Sequence, residues 1–192
     1  MDSLQEQIEK FKQDYYQENG GKKSSIQIFS KHRQKVDMAQ QVTQNFDLQQ
    51  LLDKTVYNIT GTNRVFIDYT IFKLYANESN YVILINHLIS VYDYCIETYG
   101  TFDVHINLAT FSTTAAQRYS KIIELFNNRF DTDDETVYIQ RLNHMYIYNP
   151  PSVLEMIYTV LKPMLNPKIK TKSIIVPKSE SSSKITDVHS IA

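Results

Sequence analysis

From about residue 64 to residue 176, stretches with strand spacing and stretches with helix spacing take turns along the chain. That alternation constrains the fold more than any other feature. Val65, Ile67, Tyr69 and Ile71 alternate with Phe66, Asp68, Thr70 and Phe72, which predicts a strand. Tyr81, Leu84, Ile85, Leu88, Tyr92, Ile96 and Tyr99 recur at helical spacing, which predicts a helix from Glu78 to Tyr99 stopped by Gly100. Phe102–Leu108 reads as a second strand. A helix led by Ser112-Thr113-Thr114 follows, with Ala115, Tyr119, Ile122, Phe126 and Phe130 on its inner side. Asp131 to Glu135 reads as an acidic turn, Arg141–Tyr148 as a third strand, Ser152–Leu165 as a helix and Thr171–Val176 as a fourth strand. Short links between alternating elements imply an α/β fold with a mostly parallel sheet and right-handed crossovers. Val104, Ile106 and Leu108 share one strand face, and His105 and Asn107 the other. The same split in the next strand predicts helices on one face of the sheet and a polar, partly open opposite face.

Ahead of this core, residues 1–61 read as a short helical N-terminal region. Helices are expected over 2–18, with Leu4, Ile8, Phe11 and Tyr15 on one side, and over Phe46–Val56. The core is placed at 62–176. Residues 177–192, rich in Ser and Lys, are expected to be a disordered tail. The whole is 192 residues, the size of one ordinary domain, and 42% hydrophobic, which is enough to build a core.

Several functions are disfavoured by composition. A net charge of −1 supplies no field to attract a phosphate backbone, so nucleic acid is not an expected partner. The lone Cys95 allows no internal disulfide, and the polar start has no signal-peptide character, so a cytoplasmic setting is expected. Four glycines fit no phosphate-binding loop, and the five histidines form no metal-ligand pair, so neither a cofactor nor a metal is expected. Asp131, Asp133, Asp134 and Glu135 lack the spacing of a Ca²⁺ loop. His105 and His144 fall on neighbouring strands with the same parity. They read either as two histidines on a half-exposed face or as a metal or acid–base pair, and the first reading leaves the chain non-catalytic. Abundant Ile, Asn, Lys and Tyr fit an AT-rich coding genome, such as that of a large virus.

Two positive signals stand out. Lys168, Lys170 and Lys172 alternate, so a strand would carry them on one face, as either a solvated edge or a polyanion site. The helix Ser152–Leu165 carries Val153, Leu154, Met156, Ile157, Tyr158, Val160, Leu161, Met164 and Leu165, more than the one stripe a surface helix needs. A second apolar neighbour is implied, or else full burial in the core.

Tyr146-Ile147-Tyr148-Asn149-Pro150-Pro151, then Leu161-Lys162-Pro163-Met164-Leu165 and Lys172, resembles the CRAL-TRIO lipid-binding family. That family shows a strand ending in N-x-P, a helix ending in a K-P-[FM]-L motif, and a lysine at the start of the next strand. Asp103 to Ser112 is similar to the family's I-x-D-x-x-G-[FI]-S strand and turn, with Asn107 in place of the Asp and Thr110 in place of the Gly. The resemblance spans about residues 62 to 176 and implies a CRAL-TRIO-like core that is C-terminally truncated. It implies a mobile gate helix over a hydrophobic cavity, with Val153, Ile157, Val160, Leu161 and Met164 facing the ligand. Lys172 takes the place of the headgroup lysine in phosphatidylinositol-transfer members, and Gln140 that of their glutamate. The expected role is a non-catalytic binding module for a lipid or small hydrophobic molecule, with peripheral membrane contact. The alternative is a degenerate copy of the fold acting as a protein–protein adaptor or homodimer.

Overall fold

The computed structural model describes residues 3–19, 27–130, 135–152 and 167–190. At its centre is a five-stranded sheet in the order β1-β2-β3-β4-β5: Val56–Asn58, Arg64–Asp68, Phe102–Asn107, Leu142–Tyr148 and Ser173–Ile175. β1 pairs antiparallel with β2, and every other neighbour pair is parallel. The α/β class and the mostly parallel sheet follow the expectation. The antiparallel β1 departs from it, because Val56 was placed at the end of a helix. That helix, α3 (Leu48–Thr55), is capped by the Asp47 carboxylate on Gln50 N and gives way directly to β1 at Val56.

Ten helices lie among the described residues. α1 (Leu4–Asn19) and α3 match their expected positions, whereas α2 (Gln27–Asn45) lies between them, where no helix is expected. α4 (Tyr69–Tyr75) replaces the second half of the first predicted strand. The Asp68 carboxylate accepts hydrogen bonds from Thr70 N at 2.8 Å and from Thr70 Oγ1 at 2.7 Å, an N-cap that turns the chain despite its alternating pattern. α5 (Tyr81–Tyr99) ends at Gly100 in the left-handed region, φ 79°, as expected. Ser112 caps α6 (Thr113–Arg118), and α7 (Ser120–Phe130) and α8 (Glu135–Arg141) follow.

The crossover-side core joins α5 to the sheet through Val65, Tyr92, Cys95, Phe102, Val104 and Leu142, with Phe126 of α7 and Tyr138 of α8 packed on it. A second cluster joins α1, α2 and α3 to α4, α5 and α6 through Ile8, Val42, Leu51, Tyr75, Leu84 and Ala115.

Two expectations about the C-terminal part are corrected. Lys168, Lys170 and Lys172 lie on a short helix, α9 (Pro167–Lys172), and not on a strand. Residues two apart on a helix point to opposite sides, so the three lysines do not share a face. Residues 177–192 were expected to be disordered, yet Lys178–Ser190 form α10. Ser181, Ile185 and Val188 fall on one side of that helix and close over the sheet face opposite the crossover core, where they meet Ile59, Phe66, Tyr148 and Val176. The opposite face is therefore partly covered by α10, with an open groove left beside it.

Candidate ligand-binding site

Parallel strands deliver their carboxyl ends to one edge of the molecule, where ligands of open α/β sheets commonly bind. Here β2, β3 and β4 end in Asp68, Asn107 and Tyr148–Asn149, joined by a side-chain relay. Asn149 Nδ2 donates to Asn107 Oδ1 at 2.9 Å, and Asn107 Nδ2 donates to Asp68 Oδ1 at 3.3 Å. Asn149 has φ 50° and Thr110 φ 69°, the two non-glycine residues with left-handed backbone among the described residues. Asparagine tolerates that region. Thr110 occupies it at the position where the resembled family has glycine.

Of the residues expected at the site, Lys172 and Gln140 come together. Lys172 Nζ donates to Ile139 O at 2.6 Å and to Leu142 O at 2.5 Å, at the C-terminal end of α8, one residue from the exposed Gln140. A cation there also suits the negative end of the helix dipole. Two of the three ammonium donors are engaged in this way, leaving one for an external group. Val153, Ile157, Val160, Leu161 and Met164 lie outside the described residues.

The crossover face of the sheet carries an apolar ledge at its β4–β5 edge. Ile147 and Ile175 are register partners, on the same side as Val104, Ile106 and Met145. Ile175, on the edge strand β5, is 56% exposed there, and Ile147 beside it is partly exposed.

The opposite face carries the two histidines, and the structure separates them. His144 turns to Asp103, with Nδ1 3.4 Å from its carboxylate. His105 is 4% exposed and not half-exposed as expected. Its ring stacks on Tyr146 at 4.8 Å, and its Nδ1 hydrogen-bonds the Tyr148 hydroxyl at 2.8 Å. Burial pulls the His105 pKa down to about 4, which outweighs the raising effect of Asp103. It also pushes the Tyr148 hydroxyl up to about 12. A group that stays neutral at neutral pH and is held by two aromatic rings serves packing better than proton transfer. An open groove of about 450 Å³ runs between these rings and α10, edged by Arg64, Lys184 and Asp187. Sequence reasoning missed this groove because the helix that makes its far wall was read as a tail.

Among the described residues no cluster of three or more His, Cys, Asp or Glu is placed to hold a metal ion, and no helix is long and apolar enough to cross a membrane. Compared with known proteins, residues 106–189 match the model of the CRAL/TRIO domain, a span that covers the C-terminal part of the expected core and nearly all of α10. No curated protein matches the chain.

Proposed function

Since residues 106–189 match the model of the CRAL/TRIO domain, we propose that this chain is a non-catalytic binding module for a lipid or small hydrophobic ligand. The family assignment carries the reading. The ledge supports it, because Ile147 and Ile175 offer apolar surface on the sheet without cover sufficient to bury Ile175. The sequence of the β4–β5 connection supports it too, being apolar beyond the needs of one packing face. Val153, Ile157, Val160, Leu161 and Met164 are the proposed ligand-facing residues, with Lys172 and Gln140 at the headgroup end. Binding would draw on acyl-chain burial at about 0.8 kcal/mol per CH₂, with contact to a membrane surface during loading.

Native mass spectrometry of gently purified protein, with extraction of whatever co-purifies, is the test. A bound lipid is expected, together with transfer of labelled phosphatidylcholine between liposomes. Ile175→Asp, at a site already exposed, should weaken lipid retention about tenfold, the burial value of one aliphatic side chain. Protein recovered only in the apo state, with no transfer, overturns the proposal. A second reading as adaptor or homodimer draws on β5, an edge strand of three residues with Ile174 and Ile175 exposed at 41% and 56% on its two faces. Light scattering on the same sample separates the two readings, since a lipid-free dimer favours the second.

A further inference from the structure

We propose that a cavity between the N-terminal helices and the carboxyl ends of β2 and β3, distinct from the lipid-binding edge, binds a phosphate monoester. The cavity measures about 820 Å³, within the range of small-molecule sites. α1 and α2 form one wall. α4, α6 and the turn at Thr110 form the other.

Among the described residues its charges are unbalanced. Lys12, Lys35, Lys73 and Arg118 line it against Glu9 and Glu78. Both carboxylates are already engaged: Glu9 pairs with Lys12 at 3.0 Å, and Glu78 pairs with Lys121. Lys35, Lys73 and Arg118 make no ion pair among the described residues. Lys73 Nζ has only a neutral partner, Thr110 Oγ1 at 2.7 Å. Burial, then the positive charge of Lys12, holds the Lys73 pKa below its ordinary value, with Lys35 adding to the effect. Arg118 Nε is buried without a hydrogen-bond partner, and its guanidinium carbon lies 5.7 Å from the centre of the Tyr119 ring. The guanidinium also hydrogen-bonds the Tyr119 side chain, which holds it in place and leaves Nε among the donors for an incoming oxyanion.

Three unpaired cations around one space favour a dianion over a single carboxylate. The space is far larger than a bare phosphate, and Tyr69, Tyr81 and Tyr119 give the organic part of an ester an aromatic wall. The same chemistry is presented by a free sugar or glycerol phosphate and by a phosphatidic acid headgroup.

Titration calorimetry with sn-glycerol 3-phosphate, and flotation with phosphatidylcholine vesicles with or without phosphatidic acid, test the proposal and distinguish the two sources. Binding of glycerol phosphate identifies a soluble ester. Selective binding of the phosphatidic acid vesicles alone identifies the headgroup, and either result supports the site. Arg118→Gln and Lys35→Gln should each weaken that binding about tenfold. Lys54→Gln, on the exposed side of α3, should leave it unchanged. Lys35 is exposed on α2, so its substitution reports on binding and not on folding. Ile175→Asp, which disables the ledge, should not change it either, so the two sites are tested separately. If neither ligand binds, or if Arg118→Gln and Lys35→Gln bind as tightly as the parent chain, the proposal is overturned.

Discussion

His105 shows how one residue departs from its sequence context. By parity it belongs on a polar face, and by tertiary packing it is sealed between Tyr146, Tyr148 and the helix that crosses above them. The consequence is a stability that depends on pH. An unfolded histidine titrates near 6.5, whereas the folded one titrates near 4. The folded-state value is depressed, so the unfolded chain binds the extra proton first on acidification. The stabilising contribution is complete above pH 6.5 and is lost as pH falls through about 4. It amounts to about 3 kcal/mol over that window. Urea unfolding of the parent chain and of His105→Phe at pH 7 and at pH 4 should show the parent losing about 2–3 kcal/mol more than the variant. Parallel losses in the two proteins would remove His105 as the cause. Asn149 and Thr110 make a related point: each sits at positive φ, a state more often taken by glycine, and each has its side chain in a hydrogen bond that accompanies the strain.

At the scale of elements, α10 is the decisive case. Its sequence, Lys178 to Ser190, is polar enough to read as a tail, and few of its side chains are apolar. What docks it is Ser181, fully buried, whose hydroxyl accepts from Asn149 N at 2.8 Å and donates to Pro177 O at 3.0 Å. One hydroxyl thus ties the helix start to the residue that ends β4. Ser181→Ala leaves the Asn149 amide without that partner. It should cost about 1–3 kcal/mol, read as a lower urea midpoint with an unchanged slope. A midpoint equal to the parent's would mean that α10 is held by its Ile185 and Val188 contacts alone. α9 and β5 illustrate the opposite failure. Alternating lysines looked like a strand, but the segment winds helically. Lys172 then reaches the end of α8, so its carbonyl bonds, and not its spacing, set its position.

For the molecule as a whole, the division into an N-terminal region and a core does not correspond to two hydrophobic interiors. Ile8, Met38, Val42, Leu51 and Leu52 from α1, α2 and α3 bury against Tyr69, Leu74, Tyr81 and Ala115 from the α/β part. Elements that share one core are expected to unfold cooperatively. Far-UV circular dichroism and tyrosine fluorescence should therefore follow a single coincident transition; two separated midpoints would show that the helical region folds independently. The shared cluster also holds α1 and α2 against α4 and α6, which creates the cationic cavity.

The sequence by itself determined the α/β class, the order of the central elements, the helix stop at Gly100, the cap at Ser112 and the resemblance that the domain match over residues 106–189 bears out. Each of these rests on local information: periodicity, a residue able to adopt an unusual φ, or a short motif. Only the tertiary structure decided that α10 is a helix, that His105 is buried, that β1 joins the sheet antiparallel, and that Lys35, Lys73 and Arg118 border one space. Those outcomes depend on contacts between residues dozens of positions apart. Burial and hydrogen bonding across such distances outweigh the few tenths of a kcal/mol per residue by which local propensity speaks.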